Sequence, residues 1–478
     1  MSETKTNTLQ ESDNSLLGTE KIGKLMWKFS VPAIISGLVS AAYNIVDQIF
    51  IGQGVGELGM AATNVAFPLV TISTALALLF GVGGASNFSL SMGRGEPEKA
   101  SKIAGNALTW MVLSGVVVGI IAIVFMRPLL FVFGATESIM PYAEPYTLIT
   151  NIGIPFLVFS TGAANLIRAD GSPTFSMMVM LSGAVFNLVF DPIFLFVFHM
   201  GIEGIALATV LGQVLSSIVA LFYFLRKFKT VQLKKEHFRL QPQTTKLICS
   251  LGAAACFNQL AMTVVQIVKS NILRHYGALS VYGSEIPLAA VGAVSKVLVV
   301  SMAFILGIAQ GCQPIISYNY GAKHYDRVKE TYKRAILSAT LFSVVSFLCF
   351  QLFPRQILSI FGSGSEMFYE FAIKYMRIFL LLTFINGIQP VTANFFTSIG
   401  KANLGFWISL TRQILLLVPL LLILPIFFGM EGVMWAGPLS DGVAALLAIV
   451  FAVREIKKMN GLESQSNTIK ATPVGDIS

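Results

Sequence analysis

Twelve stretches of about 20 or more mostly apolar residues, divided by short polar breaks, can be counted between residues 25 and 453 of this chain. A helix needs about 20 such residues to cross the hydrocarbon of a bilayer, where backbone polar groups find no water and must satisfy one another. The pattern predicts an all-α integral membrane protein of twelve transmembrane helices. Composition agrees: 55% of residues are hydrophobic and 12% charged, with a mean hydropathy of +0.74, outside the soluble range. Residues 1–24 form a polar tail, and the first apolar run is too long for a signal-peptide core, so it reads as the first span. Cys249, Cys256, Cys312 and Cys349 lie in apolar spans without a CxxC pair and read as reduced packing residues.

The net charge of +9 is unevenly distributed. The polar breaks on the side of the N-terminus hold most of the cations, among them Arg94, Lys99, Lys102, Arg168, Arg226, Lys227, Lys229, Lys234, Lys235 and Lys323. The opposite breaks carry Arg127, Arg274 and Arg355. This asymmetry predicts a multi-pass protein of the cell inner (cytoplasmic) membrane with both termini cytoplasmic. It assigns the basic surplus to lipid headgroups rather than nucleic acid.

The chain also repeats itself. Ala61-Ala62 falls on Ala289-Ala290, Gly83 and Gly93 on Gly311 and Gly321, and the GIEG at Gly201 on the GMEG at Gly429. After a one-residue slip, Tyr146, Asn165 and Gly171 fall on Tyr375, Asn394 and Gly400. A repeat this long is a bundle of six helices, and six being even, both copies share one orientation. The expected organisation is an N-lobe at 25–225, a cytoplasmic connector at 226–245, a C-lobe at 246–455 and a cytoplasmic tail at 456–478. A pseudo-twofold axis along the membrane normal would relate the lobes, an arrangement of transporters that places the substrate path between them.

Ionisable groups inside hydrocarbon cost about 2.5–3.5 kcal/mol on insertion scales and mark ion or substrate paths. The N-lobe spans hold two such acids, Asp47 in the first helix and Asp191 in the fifth, both beyond mid-membrane. Helical spacing puts Asn44 on the face of Asp47 and Asn187 on that of Asp191. Tyr146 and Thr209 fall at a similar depth on the fourth and sixth helices. This is the inventory of a shared-proton network or a monovalent-cation site, and two adjacent carboxyls would titrate as a coupled unit. For Asn187 or Thr209 alone, interhelical hydrogen bonding is the simpler reading. The C-lobe offers amides instead: Gln259 and Gln266 on the seventh helix, Asn386 and Gln389 on the tenth. These either line a substrate cavity or join helices. Arg412 and Asp441 share a depth and are expected to form a structural ion pair. Lys269 and Lys296 read as snorkelling cations, and Pro32 as a kink in the first helix or a bend sensitive to the charge on Asp47.

PAIISGLVSAAYNIVDQIFIG, GVGGASNFSLSMGRGEPEKA, LIRADGSP and NLVFDPIF, in that order, resemble the multidrug and toxic compound extrusion (MATE) transporters over residues 25–455. The resemblance implies a V-shaped molecule that exports amphipathic, often cationic compounds in exchange for protons or sodium ions. In the proton-coupled-like branch the N-lobe network falls on Asp47, Tyr146, Asn187, Asp191 and Thr209, with the helix-one bend at Pro32. The sodium-coupled branch has acids where this C-lobe has amides, which shifts the expectation to the N-lobe. No enzyme activity, resident metal or cofactor is expected, and the molecule is expected to be a monomer. A lipid-linked oligosaccharide flippase of the same superfamily is the alternative. An intramembrane enzyme fits less well, since His199, His237, His275 and His324 fall in loops or at span ends.

Overall fold

A computed structural model describes residues 16–471 except 229, 284 and 361–364. Lys229, residues 1–15 of the expected N-terminal tail and 472–478 of the C-terminal one lie outside the described residues. Among the described residues there is no strand. We label the long helices α1 (Ile22–Gly54), α2 (Glu57–Gly93), α3 (Pro97–Val124), α4 (Met140–Ala169), α5 (Pro173–Pro192) and α6 (Gly201–Arg226), followed by α7 (Pro242–Ala278), α8 (Glu285–Gly321) and α9 (Tyr325–Leu352). The tenth, α10, is broken into Glu366–Phe379 and Thr383–Ser398, which meet at 43°. The helical run from residue 402 onward is interrupted at Gly429, whose backbone is non-helical, giving α11 (402–428) and α12 (430–471).

Several helices outrun the hydrocarbon thickness. The last continues to Ala471, into the expected cytoplasmic tail that begins at 456. Gly201 and Gly429 sit at equivalent positions of the repeat and both take positive φ, +61° and +55°, a conformation open to a residue without Cβ. The GIEG and GMEG motifs are thus the same turn made twice.

Two helices change pitch where the sequence removes or weakens a backbone bond. Pro192 lacks an N–H, and α5 continues past it as a π turn, Ile193–Val197, closed by Phe198 N–H donating to Ile193 O at 3.0 Å. A second π turn, Thr411–Leu417, lies within α11. By contrast α1 runs unbroken through Pro32, with Ser36 Oγ donating to Pro32 O at 2.8 Å.

The lobes α1–α6 and α7–α12 meet in the half of the spans that bears the chain termini. There α1 packs on α8 and α2 on α7, the same pairing seen from either lobe. A Cβ on Gly83 would strike the backbone of Ile248, and one on Gly311 the backbone of Ser30. Between these contacts α2 crosses α8, and the equivalent residues Gly93 and Gly321 lie within contact of each other. Polar bonds join the same end: Gln313 Nε2 donates to Ser86 Oγ at 2.7 Å, Asn87 Nδ2 to Leu247 O at 2.9 Å, and Arg168 to Gln310 Oε1 at 3.1 Å. Arg168, expected as a loop charge, is therefore buried, 6% exposed, in this seam.

The connector is fixed to the N-lobe by Asn106 of α3. Its amide donates to His237 O and Arg239 O and accepts from Gln241 N–H, all between 2.8 and 3.0 Å. Gly93→Val should force α2 from α8, since overpacking against backbone costs about 1–3 kcal/mol. Spin labels at the exposed positions Lys99 and Lys323 should then report a longer distance than in the parent. An unchanged distribution would remove this contact from the closure.

Candidate functional site: an acid pair in the N-lobe

Four helices converge on one buried polar site beyond mid-membrane. Helical spacing sets Tyr43 and Asp47 on one face of α1, and Asn187 and Asp191 on one face of α5. Asp47 is 9% exposed and Asp191 1%, and their carboxyl groups lie within hydrogen-bonding reach of each other. Two carboxyls can bond only through a proton held by one of them, because an ionised carboxylate is an acceptor and nothing else. Asn187 Nδ2 donates to Thr209 Oγ1 of α6 at 3.1 Å. Tyr146 of α4 is buried, and its phenol and that of Tyr43 both feel the acids.

Asp47 Oδ1, Asp191 Oδ1 and Asn187 Oδ1 are buried without a hydrogen-bond partner. Such oxygens are costly unless something electropositive meets them. The donor set is all oxygen, which suits a proton or a small hard cation and offers no soft ligand for a transition metal.

The structure brings Asp47, Tyr146, Asn187, Asp191 and Thr209 together. It does not bring Asn44: that side chain is exposed, and its Nδ2 donates to Ser40 O of its own helix at 2.7 Å. Around the helix Asn44 stands about 60° to one side of Asp47 and Tyr43 about 40° to the other, and it is the Tyr43 side that faces the pocket. Tyr43 was missed, although it stands four residues before Asp47, which was signal enough.

In the C-lobe, Gln259 is half-buried and Gln266 exposed on α7. Asn386 and Gln389 do not line an open cavity. Gln389 is buried and donates to Ile408 O at 2.6 Å, just before the π turn of α11. Asn386, near the start of the second segment of α10, lies against Asp441, and with the amide oriented to satisfy its hydrogen bonds its NH2 donates to Asp441 Oδ2 and Oδ1 at 3.1 and 3.2 Å. Arg412 Nε donates to Asp441 Oδ1 at 2.5 Å. Lys269 does not snorkel; it is 8% exposed within the bundle.

Glu98 at the start of α3 and Glu236 and His237 of the connector cluster with metal-like spacing. The ring is already committed: Lys234 N–H donates to His237 Nδ1 at 3.1 Å, so Nε2 carries the proton that faces Glu98 Oε1 at 3.2 Å. A metal would have to displace that proton, so the donor set does not fit one.

The MatE family model matches residues 32–193 and 254–423, the cores of both lobes. The chain belongs to the MATE family of efflux transporters. Among curated relatives it is similar to the multidrug export protein MepA of Staphylococcus haemolyticus, 25% identical over 435 residues covering 91% of this chain and 94% of that one. Among solved structures it is similar to the MATE multidrug transporter DinF-BH, solved as a complex. That match is 36% identical with a TM-score of 0.84, covering 91% of this chain and 96% of the other. An outward-facing MATE transporter of the MOP superfamily superposes with a TM-score of 0.87 at 22% identity, covering 94% and 99% of the two chains, a likeness of fold.

In this MATE transporter the Tyr43 hydroxyl reaches Thr209, tying α1 to α6 beside the acids. Tyr43→Phe should cost about 0.5–1.5 kcal/mol of that coupling, a few-fold loss in dye efflux with expression unchanged. A double-mutant cycle with Thr209→Val should be non-additive; strictly additive losses would show that the two hydroxyls act apart.

Proposed function

We propose that the chain is a secondary active multidrug antiporter of the cytoplasmic membrane. It exports amphipathic, often cationic compounds by alternating access, and protons moving inward through Asp47 and Asp191 drive it. The observation that carries this reading is the contact of two buried carboxyls that can bond only when they share a proton. The relatives described as multidrug exporters support the substrate class, and the basic surplus near the termini supports a cytoplasmic location for them.

In this reading the glycine-lined seam is the closed cytoplasmic gate, and the acid pair is loaded from outside. Protonation neutralises the pair, weakens its hold on a bound cation and releases the drug outward. Loss of the proton toward the cytoplasm restores affinity. Reciprocity requires a bound cationic drug to lower proton affinity to the same degree. Sodium could dock on the same oxygens, so the ions must be compared directly. Reconstituted vesicles should export a fluorescent cation under an imposed pH gradient and not under a sodium gradient. Asp47→Asn and Asp191→Asn should each abolish the response to pH. Full gradient-driven export by Asp47→Asn would reject the coupling role.

A further inference from the structure

The C-lobe holds an ionic cluster that the acid-pair reading leaves unused. Lys269 of α7 is buried, and its Nζ donates to Ser295 Oγ of α8 at 3.3 Å, a single bond for a group with three donors. The Arg412 guanidinium of α11 lies within Coulombic range of it. Asp441 of α12 accepts from Arg412 Nε and from the Asn386 amide, and so balances one of the two cations.

Other acids of the C-lobe are engaged elsewhere. Glu431 pairs with Lys374, Glu366 with Arg355 and Glu455 with Lys401. Glu370 accepts from Tyr282, and Glu285 is exposed at the start of α8. Among the described residues one positive charge is thus left over inside the bundle, where a buried charge is ordinarily paired. Lys269 retains free donors beside a guanidinium bound to Asp441 through Nε, and together they present charge and N–H groups that match a carboxylate.

We propose that Lys269 and Arg412 form an anion subsite in the C-lobe for one monovalent anionic group: the carboxylate of a zwitterionic substrate or an inorganic ion such as chloride. The proposal extends the exporter reading, since an acid pair in one lobe and an anion subsite in the other let one carrier take cations and zwitterions.

The test uses the purified full chain and one xanthene dye in two forms, rhodamine 123, a methyl ester, and rhodamine 110, the corresponding free acid, in chloride and in gluconate buffers. Lys269→Met should weaken binding of the free acid about tenfold or more and leave the ester unchanged, and Lys269→Arg should restore it. If chloride is the occupant, it should raise the melting temperature of the parent relative to gluconate and compete with the free acid. Both chloride effects should vanish in Lys269→Met. Should that variant not fold, the parent decides alone, by its chloride dependence and its preference between the dyes.

Equal treatment of the two dyes together with no difference between chloride and gluconate overturns the subsite, the result expected of an uncharged Lys269. Failure of the ester to bind at all would instead reject the cationic-substrate reading, and binding of the free acid to the parent and to Lys269→Met, with the melting comparison, would still decide the anion subsite.

Discussion

Inside a bilayer an ionisable group has no water to fall back on, and the rest of this structure is arranged around that constraint. Buried ionisable groups reach across to other helices: Asp47 of α1 meets Asp191 of α5, Asp441 of α12 meets Arg412 of α11, and Arg168 of α4 reaches Gln310 of α8. Because apolar side chains gain nothing by leaving lipid for one another, these polar meetings and close backbone contacts decide which helix faces turn inward. Some of the interactions that orient the helices are therefore also those that form the site.

The two lobes share a backbone plan and differ in what they bury. The turns at Gly201 and Gly429 both take positive φ, and α1 meets α8 as α7 meets α2. Yet the N-lobe gathers carboxyls, phenols and an amide, while the C-lobe buries an Arg412–Asp441 pair and a second cation, Lys269, within Coulombic range of the arginine. Duplication supplied a scaffold whose helix ends and crossings are set by glycine and proline. The chemistry was placed on it by side chains that do not repeat. The π turns mark the difference in place: one follows Asp191-Pro192, the other carries Arg412.

At the terminus-bearing end, closeness rather than charge dominates. Gly93 and Gly321 let α2 and α8 cross backbone to backbone, and Gln313, Asn87 and Arg168 add directional bonds around them. The same seam also packs apolar side chains of α1 and α8, Phe29 and Ile308 among them. In the proposed mechanism this is the contact that forms and parts.

Much of this was legible in the residues alone. Apolar length determined the helices, because a spanning backbone has no alternative partner for its polar groups. The repeat offset determined two equivalent halves, and helical spacing with depth brought Asp47, Asn187, Asp191, Tyr146 and Thr209 to one level. Only the tertiary structure decided which neighbours on a helix turn inward. Asn44 and Tyr43 adjoin in the sequence, yet the first faces out and the second joins the acids. Likewise Lys269, Arg168 and Gln389 looked like surface or cavity residues and proved to be buried ties. The reason is that depth follows from counting residues along a span, whereas azimuth depends on helix crossings, π turns and breaks, which are settled between chain segments far apart in sequence.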